Sequence, residues 1–471
     1  MRDHAFMNSV GPGHAARPRR LAERAAMAGA AVQALPGDRI AGRVAGVDGL
    51  AVLVRGLAGL LARGDRLRLV SRGGAARPPV LAEVVSLSVD GGARAIAFGP
   101  LDGIRLGDEA EVVGQASIAP GPGWLGRVID PFGQPLDGRG PLAAGPVARA
   151  LRAPAPSAGS RARLGERLDL GVRVLDTFAT CRVGQRLGLF AASGIGKSTL
   201  LSMLARGAQC DVVVLALVGE RGRELREFVE DDLGPEGLAR SVVVCATSDA
   251  SPLLRRDAAL TAMTVAESFA EAGRHVLLLM DSVTRFAMAL REIGLTAGEP
   301  PATRGYTPSV FAELPRLLER AGPRGPGCGG AITGLFTVLV EGDDHDEPVA
   351  DAVRGILDGH VVLDRRIGEA GRYPAVDVLR SLSRTVPGCL SDTERATVER
   401  ARRLLGTHAE MADMVRLGAY RAGSDAAVDE ALRLAPAIGT FLSQRKEDVR
   451  IGAAQCFAAL AEIMAGRAAH V

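Results

Sequence analysis

The chain has 471 residues, of which 47% are hydrophobic and only 3% aromatic, and its formal net charge is +3. This length allows about three domains with ample cores. No uninterrupted apolar stretch approaches the ~18 residues of a membrane span. The six cysteines are scattered singly with no CxxC pair. Neither a disulfide framework nor a zinc site is therefore predicted, and a reducing, cytoplasmic setting is expected.

The net positive charge lies at the N-terminus. Residues 1–30 hold five arginines against two acidic residues, so the rest of the chain is balanced. The spacing of apolar residues predicts one helical face, formed by Leu21, Ala25, Ala28, Val32 and Leu35. Residues 1–36 are predicted to be a basic N-terminal extension, either a solvated tail or an arm that docks on a partner.

A small closed β-barrel is predicted at residues 37–115. Short β-rich runs alternate there with turns that contain glycine or aspartate, at residues 39–44, 50–54, 66–70, 80–86, 94–98 and 109–113. Short strands at this close spacing are typical of barrels. A linker rich in proline and glycine follows at residues 119–123, within a second domain predicted at residues 116–384.

The sequence QRLGLFAASGIGKST, at residues 185–199, has the pattern of a phosphate cradle. An apolar strand leads through a glycine-rich turn into a helix, and the N–H groups of the turn and the helix dipole favour phosphate. Lys197 is predicted to reach the β- and γ-phosphates, and the Ser198 hydroxyl to ligate Mg²⁺. The residues predicted to bind ATP here are Ala191, Ala192, Ser193, Gly194, Ile195, Gly196, Lys197, Ser198 and Thr199.

Two observations qualify this motif. The P-loop pattern has glycine six residues before its lysine, where this chain has Ala191, which still allows the strand to turn. Only two lysines occur among the 57 basic residues, so arginine serves wherever a general positive charge suffices. A phosphate cradle requires the compact ammonium group that Lys197 supplies, whereas Lys446 is predicted to be a plain surface charge.

Apolar strands and helical segments continue to alternate after the cradle. Strands are predicted at residues 212–218, 241–246, 275–280 and 332–340, and a helix from Ser251 towards Ala272. This alternation indicates an α/β domain with a parallel sheet. Because ligands bind at the carboxyl ends of such strands, the cradle, Glu220 and Asp281 are expected to share one site.

Each of these carboxylates has a predicted task. Asp281 is the acid expected on the Mg²⁺ side of the site, and Glu220 can orient a water molecule for attack on the γ-phosphate. The alternative for Glu220 is a structural salt bridge with Arg221 or Arg223. The chain becomes helical further on, and residues 385–471 are predicted to form a C-terminal helical domain with helices at 391–405, 425–434 and 448–465.

Several motifs resemble the ATPase of type III protein export, and the likeness is greatest to its flagellar branch. They are AASGIGKST, LVGERGREL, ATSDASPLLR, LLLMDSVTRFAMALREIG, GEPPATRGYTPSVFAELPRLLERAG, EGDDHDEPVADAVRGILDGH and YPAVDVLRSLSR. This family is similar to the catalytic β subunits of rotary ATP synthases. The resemblance runs from about Gly37 to the C-terminus. It implies an N-terminal β-barrel, a RecA-like α/β core and a C-terminal helical domain.

The resemblance also implies roles for individual residues. Glu220 matches the catalytic glutamate that polarises the attacking water, and Arg221 follows it as in the family. Glu224 matches a second acid near Mg²⁺. Tyr373 matches the aromatic residue that stacks on adenine. Arg384 matches the arginine finger that is given in trans to the neighbouring subunit's site, and its alternative is an intrasubunit salt bridge.

The family's working form implies a set of partners. It is a homohexameric ring at the cytoplasmic face of the export gate, peripheral to the inner membrane. The implied partners are membrane proteins of the gate, chaperone–substrate complexes, a central coiled-coil stalk protein and, on the N-terminal extension, a stalk-type negative regulator.

The function predicted is Mg²⁺-dependent ATP hydrolysis that releases or unfolds flagellar export substrates. One alternative is the ATPase of a virulence type III system, and a second is a non-catalytic ring subunit, which has no need for Glu220. A nucleic-acid translocase would need basic, aromatic-rich loops. The balanced charge beyond the extension and the few aromatic residues argue against nucleic acid as a partner.

Overall fold

The computed structural model describes residues 39–71, 78–192, 194–325, 327, 329–340 and 347–467. The predicted N-terminal extension and Ser193 lie outside these residues. The predicted domain boundaries remain predictions. Within the described ranges, no helix combines the length and the apolar character needed to cross a membrane.

The first domain is the predicted closed barrel. Its strands are β1 (Ala41–Asp48), β2 (Ala51–Arg55), β3 (Asp65–Val70), β4 (Val80–Leu87), β5 (Ala93–Ala97) and β6 (Glu109–Gln115). They close in the order β1-β2-β5-β4-β3-β6, and each pair of neighbours is antiparallel. Alternate residues such as Val52, Val54, Leu67 and Leu69 point inward and form the barrel core.

A nine-stranded sheet forms the centre of the second domain. Its strands are β8 (Arg127–Ile129), β12 (Arg186–Ala191), β13 (Val212–Glu220), β14 (Ser241–Thr247), β15 (His275–Asp281), β16 (Gly322–Pro323), β17 (Ala331–Leu339), β18 (Gly359–Leu363) and β19 (Val376–Ser383). The order is β19-β18-β12-β17-β15-β13-β14-β8, with β16 beside β17. The pairs of this path are parallel except β18 with β19. Two short pairs lie outside this sheet, β7 (Ser117–Ile118) with β9 (Arg149–Ala150) and β10 (Arg167–Leu168) with β11 (Cys181–Arg182).

Helices cover both faces of this sheet, and the inner strands are therefore buried on both sides. They are α1 (Arg173–Phe178), α2 (Lys197–Gly207), α3 (Gly222–Glu227), α4 (Gly234–Ala239), α5 (Pro252–Glu271), α6 (Val283–Ala297), α7 (Pro308–Leu318), α8 (Pro348–Ile356) and α9 (Arg365–Glu369). A π-helical turn, Phe228–Leu233, joins α3 to α4. The predicted start of α5 is confirmed, because Ser251 caps its N-terminus and Pro252 occupies its first turn.

The C-terminal part is helical, as predicted, but its helix bounds differ from the predicted ones. The helices are α10 (Asp392–Arg416), α11 (Ala426–Leu442) and α12 (Ala453–Met464). The capping box of Ser391 and Glu394 is present, and α10 continues well beyond residue 405. Helix α11 continues through Pro436 because Ile438 and Phe441 extend its buried face. Helix α12 begins later than predicted, after a non-helical segment.

The prediction for Lys446 was wrong. Its ammonium group lies 3.1 Å from the carboxylate of Asp232, in the π-helical turn, and its side chain is only 33% exposed. Lys446 therefore joins the C-terminal helical part to the nucleotide-binding domain. The residue looked like a surface charge because the sequence around it is polar, while its partner lies far away along the chain.

A buried charge cluster joins the barrel to helix α5. The Arg256 guanidinium donates to both carboxylate oxygens of Glu83, at 2.7 and 2.6 Å, and also pairs with its neighbour Asp257. Arg66 donates to Asp257 at 2.7 Å and lies over the Phe98 ring. Burial alone would raise the pKa of Glu83, but the charge and hydrogen bonds of Arg256 hold this pKa below its ordinary value. Each charge in the cluster thus depends on its partners.

Arg256→Met should lower the free energy of unfolding by about 3–5 kcal/mol, because it leaves buried carboxylates without their main partner. Urea denaturation followed by circular dichroism measures this loss. Arg226→Met is the matched control, since Arg226 pairs with Glu230 on the surface, where both side chains are more than half exposed. Equal effects of the two substitutions would show that the cluster does not hold the barrel on the core.

Candidate active site

The phosphate cradle lies between the end of β12 and the start of α2. Gly194 and Gly196 have φ angles of 81° and 83°, which L-residues with a side chain rarely adopt. Gly196 is the N-cap of α2, and the first N–H groups of a helix have no partner inside it. Ser198 and Thr199 are exposed in the first turn. Ala191 is the buried last residue of β12, where a small side chain suffices.

Three predicted site residues come together beside this cradle. The Lys197 ammonium lies 2.6 Å from Asp281 Oδ1 and 3.5 Å from Glu220 Oε1. Lys197 begins α2, Glu220 ends β13 and Asp281 ends β15, so parallel strand order carries all three to one edge of the sheet. Their side chains are at most 20% exposed. The arrangement provides one cation and two carboxylates where a nucleotide's phosphates would lie.

A β-bulge directs Glu220 toward this cluster. The register between β13 and β14 shifts between Val218 and Glu220, and Gly219 has a φ of 71°. Burial raises the pKa of Glu220, and the charges of Asp281 and Glu224 add to this rise, while Lys197 and Arg285 oppose it. Glu220 is therefore a carboxylate with a strengthened affinity for a proton, as a general base requires.

Thr337 is a site residue that the sequence analysis missed. Its hydroxyl donates to Asp281 Oδ1 at 2.7 Å, the oxygen that also accepts from Lys197. Thr337 lies on β17, next to β15, and is fully buried. Two threonines, Thr333 and Thr337, in an otherwise apolar buried strand were the available signal, because buried hydroxyl groups need partners.

Arg285 is a second residue that was missed. It lies in the first turn of α6, the helix that begins directly after Asp281 and Ser282. A Cβ atom at Gly219 would lie 3.3 Å from Arg285 Cβ, so this side chain packs against the residue that precedes Glu220. Its Nε is buried without a hydrogen-bond partner in the described residues. A guanidinium with spare donors in this place suits a phosphate group.

Arg221 and Glu224 lie next to the cluster but face solvent. Their side chains are 81% and 50% exposed and pair with each other at 3.3 Å. Arg223 pairs with Glu227 at 2.9 Å. Glu220 therefore forms its ion pair with Lys197 rather than with Arg221 or Arg223, the alternative that the sequence left open.

Tyr373 closes one side of the cradle. A Cβ atom at Gly196 would lie 3.2 Å from Tyr373 Cδ1, so the ring rests directly on the last residue of the turn. A Cβ atom at Gly368 would likewise lie 3.2 Å from the tyrosine hydroxyl, so Gly368 also packs against this side chain. The rest of the Tyr373 side chain faces solvent, and the residue is 46% exposed. A flat, partly exposed ring beside a phosphate cradle can stack on a base.

Arg384 lies far from the cradle of its own chain. Strand β19 runs antiparallel to β18, which brings Ser383 level with Gly359, and the Arg384 N–H donates to the Asp358 carbonyl. Arg384 is therefore level with the first residue of β12. The cradle follows the last residue of β12, which lies roughly 16 Å further along at about 3.3 Å per residue. Arg384 is exposed, and none of the described residues forms a salt bridge or a side-chain hydrogen bond with it.

A phosphate cradle after one strand, with carboxylates after neighbouring parallel strands, defines a RecA-like P-loop ATPase. Residues 171–383 match the family model of the ATP synthase alpha/beta family, nucleotide-binding domain. Residues 390–462 match the model of the T3SS EscN ATPase C-terminal domain. The class defined by the fold thus agrees with both matches.

Individual relatives cover most of the chain. A flagellum-specific ATP synthase of Caulobacter vibrioides is 54% identical over 424 residues, which are 89% of this chain and 95% of the relative. A type 3 secretion system ATPase of Xanthomonas euvesicatoria is 51% identical over 366 residues, 77% of this chain and 81% of the relative. The chain therefore belongs to the family of flagellum-specific and type III secretion ATPases.

A solved structure agrees with this assignment. The assembled ATPase EscN from the type III secretion system of enteropathogenic E. coli matches with a TM-score of 0.82 and 36% identity, over 90% of this chain and 99% of that chain. EscN in complex with its central stalk EscO matches with a TM-score of 0.81. The predicted family and fold class are thus confirmed, and the chain is an ATPase of type III protein export.

Proposed function

We propose that this chain hydrolyses Mg²⁺-ATP to energise the export of flagellar proteins, by releasing or unfolding chaperone-bound substrates. The observation that carries the proposal is the cluster of Lys197, Glu220 and Asp281 beside the cradle. Lys197 binds the β- and γ-phosphates, and Glu220 accepts a proton from the attacking water. Tyr373 stacks on adenine.

The residues present suit Mg²⁺. In the described parts of the chain no group of three or more His, Cys, Asp or Glu forms an all-protein metal site. Mg²⁺ in nucleotide sites is held instead by one or two carboxylates together with the substrate's phosphates. Ser198, Asp281 and Glu224 would hold it here, and the ion would neutralise charge on the phosphates. Thr337 keeps the Asp281 carboxylate in place.

The working form proposed is a homohexameric ring at the cytoplasmic face of the inner membrane. The solved structures of EscN hold that protein assembled and in complex with its central stalk EscO, which supports an assembled form and a central stalk partner for this chain. The stalk proposed here is a coiled-coil protein. The N-terminal extension is proposed to bind a stalk-type negative regulator. Membrane proteins of the export gate and chaperone–substrate complexes complete the proposed partners.

The flagellar role is favoured by the nearly full-length likeness to a flagellum-specific relative. Deleting the gene in the source bacterium should abolish swimming and remove filament protein from the culture medium. Wild-type protein should restore both, whereas Lys197→Ala, at equal expression, should restore neither. Normal swimming of the deletion strain, together with loss of effector secretion, would assign the chain to a virulence system instead.

A further inference from the structure

The segment between α11 and α12, residues 443–452, contacts the Tyr373 loop and several elements that lead away from the candidate site. We call it the bridging segment. It leaves the helical part at Leu442, crosses to the nucleotide-binding domain and returns at Ala453. Its contacts reach the Tyr373 loop, the start of α1, the end of α2 and the π-helical turn after α3. Of these elements, the Tyr373 loop lies against the cradle, α2 begins there with Lys197, and the π-helical turn follows Glu220 by way of α3.

Gln444 makes the central contact of the bridging segment. Its backbone N–H donates to the Tyr373 carbonyl at 2.7 Å. Its side chain is held at both polar ends, since Oε1 accepts from the Arg173 N–H at 2.9 Å and Nε2 donates to the Gly171 carbonyl at 3.1 Å. Gln444 is only 4% exposed. The buried amide thus fixes the position of the N–H that holds the Tyr373 loop.

Two basic side chains attach the same segment to the elements that follow Glu220 and Lys197 along the chain. Lys446 pairs with Asp232 in the π-helical turn, which follows Glu220 by way of α3. The Arg450 guanidinium donates to the Arg206 carbonyl near the C-terminus of α2, the helix that begins with Lys197. A cation at this end of a helix is also favoured by the helix dipole. The bridging segment is therefore attached to the Tyr373 loop and to two elements whose other ends lie at the cradle.

We infer that Gln444 is a positioning residue for the adenine side of the nucleotide site, and that the bridging segment sets nucleotide affinity. The Tyr373 side chain is half exposed, so its backbone carries much of its positioning. The inference rests on the proposed stacking of Tyr373 on adenine. A ligand that shifts the helical domain and its bridging segment should therefore change the affinity for nucleotide. Because linkage is reciprocal, nucleotide should change the affinity for that ligand by the same factor.

Gln444→Leu keeps roughly the volume of the side chain but removes both hydrogen bonds of its amide group. It should weaken ADP binding about 5- to 20-fold. Inorganic pyrophosphate should bind within about twofold of wild type, because it occupies only the cradle. ATP hydrolysis should show a raised KM and little change in kcat. Unchanged ADP affinity in a folded Gln444→Leu protein would overturn the inference, as would an equal loss of pyrophosphate affinity, which would indicate general distortion.

Lys446→Ala provides a second test that does not disturb a buried group. It should weaken ADP binding about two- to threefold, and Asp232→Ala should do the same, because the pair is partly exposed. Exchanging the charges, Lys446→Asp with Asp232→Lys, should restore affinity. Arg445→Ala is the matched control, since it removes an equal charge from an exposed neighbour in the same segment. Equal ADP affinities of Lys446→Ala and Arg445→Ala would refute the role of the segment.

Failure of this inference can be told from failure of the proposed function. If wild-type protein binds ADP and hydrolyses ATP, and Tyr373→Ala weakens ADP but not pyrophosphate, the adenine assignment holds. Unchanged affinities of the Gln444 and Lys446 variants then count against the inference alone. If Tyr373→Ala leaves ADP affinity unchanged, the assignment of Tyr373 fails, and the inference fails with it.

Discussion

Glu220→Gln is expected to lower kcat for ATP hydrolysis by about 10²–10⁴-fold while nucleotide binding is retained. The amide keeps the size of the side chain but cannot accept a proton from water. Binding depends instead on the cradle and Lys197, so Lys197→Ala should weaken nucleotide binding as well. Steady-state hydrolysis and ADP binding measured on the same preparation separate the two effects.

The pH dependence gives this prediction a second readout. Burial raises the pKa of Glu220. As the pH is lowered, wild-type kcat/KM should therefore begin to fall at a higher pH than the ordinary pKa of a glutamate would give. Below that pKa the group is protonated and cannot act as a base. Glu227→Gln is the control, because Glu227 is exposed and pairs with Arg223, one turn earlier in the same helix. Substantial activity of Glu220→Gln would rule out its catalytic assignment.

The parts of this molecule that were predictable from sequence are those encoded locally. The barrel strands, the apolar strands of the sheet and the cradle each follow from a short run of residues and its spacing. Glu220 and Asp281 were predictable because each directly follows an apolar strand. The roles of Tyr373 and Arg384 came from family resemblance, since nothing in their own spacing indicates a base or a neighbouring subunit.

What could not be predicted depends on which strands and segments lie side by side. Thr337 reaches Asp281 only because β17 pairs with β15. Lys446 and Asp232 meet only because the bridging segment returns to the core. Helix α11 was predicted to end before Pro436, yet buried contacts of its last turns outweigh the lost hydrogen bond. In each case tertiary packing decides, and single-sequence patterns carry little information about it.

Arg384→Ala should lower kcat by about 10³–10⁵-fold, equivalent to about 4–7 kcal/mol of transition-state stabilisation, if Arg384 completes the site of a neighbouring subunit. The structure supports action in trans, because Arg384 lies at the opposite edge of the sheet from its own cradle. It is also exposed and has no salt-bridge partner among the described residues, which leaves it available to a second copy of the chain. Nucleotide binding to the isolated chain should be little affected.

Mixing two inactive variants separates action in trans from action within one chain. Arg384→Ala supplies an intact Lys197 cradle, and Lys197→Ala supplies an intact Arg384. In mixed rings the two meet at shared interfaces, so a fraction of wild-type activity should return. Arg380→Ala is the control, since Arg380 is an exposed arginine on β19, the strand that ends just before Arg384, and it pairs with Asp364 of its own chain. If mixed rings form, as shown by pull-down of differently tagged variants, and activity stays absent, Arg384 does not act on its neighbour.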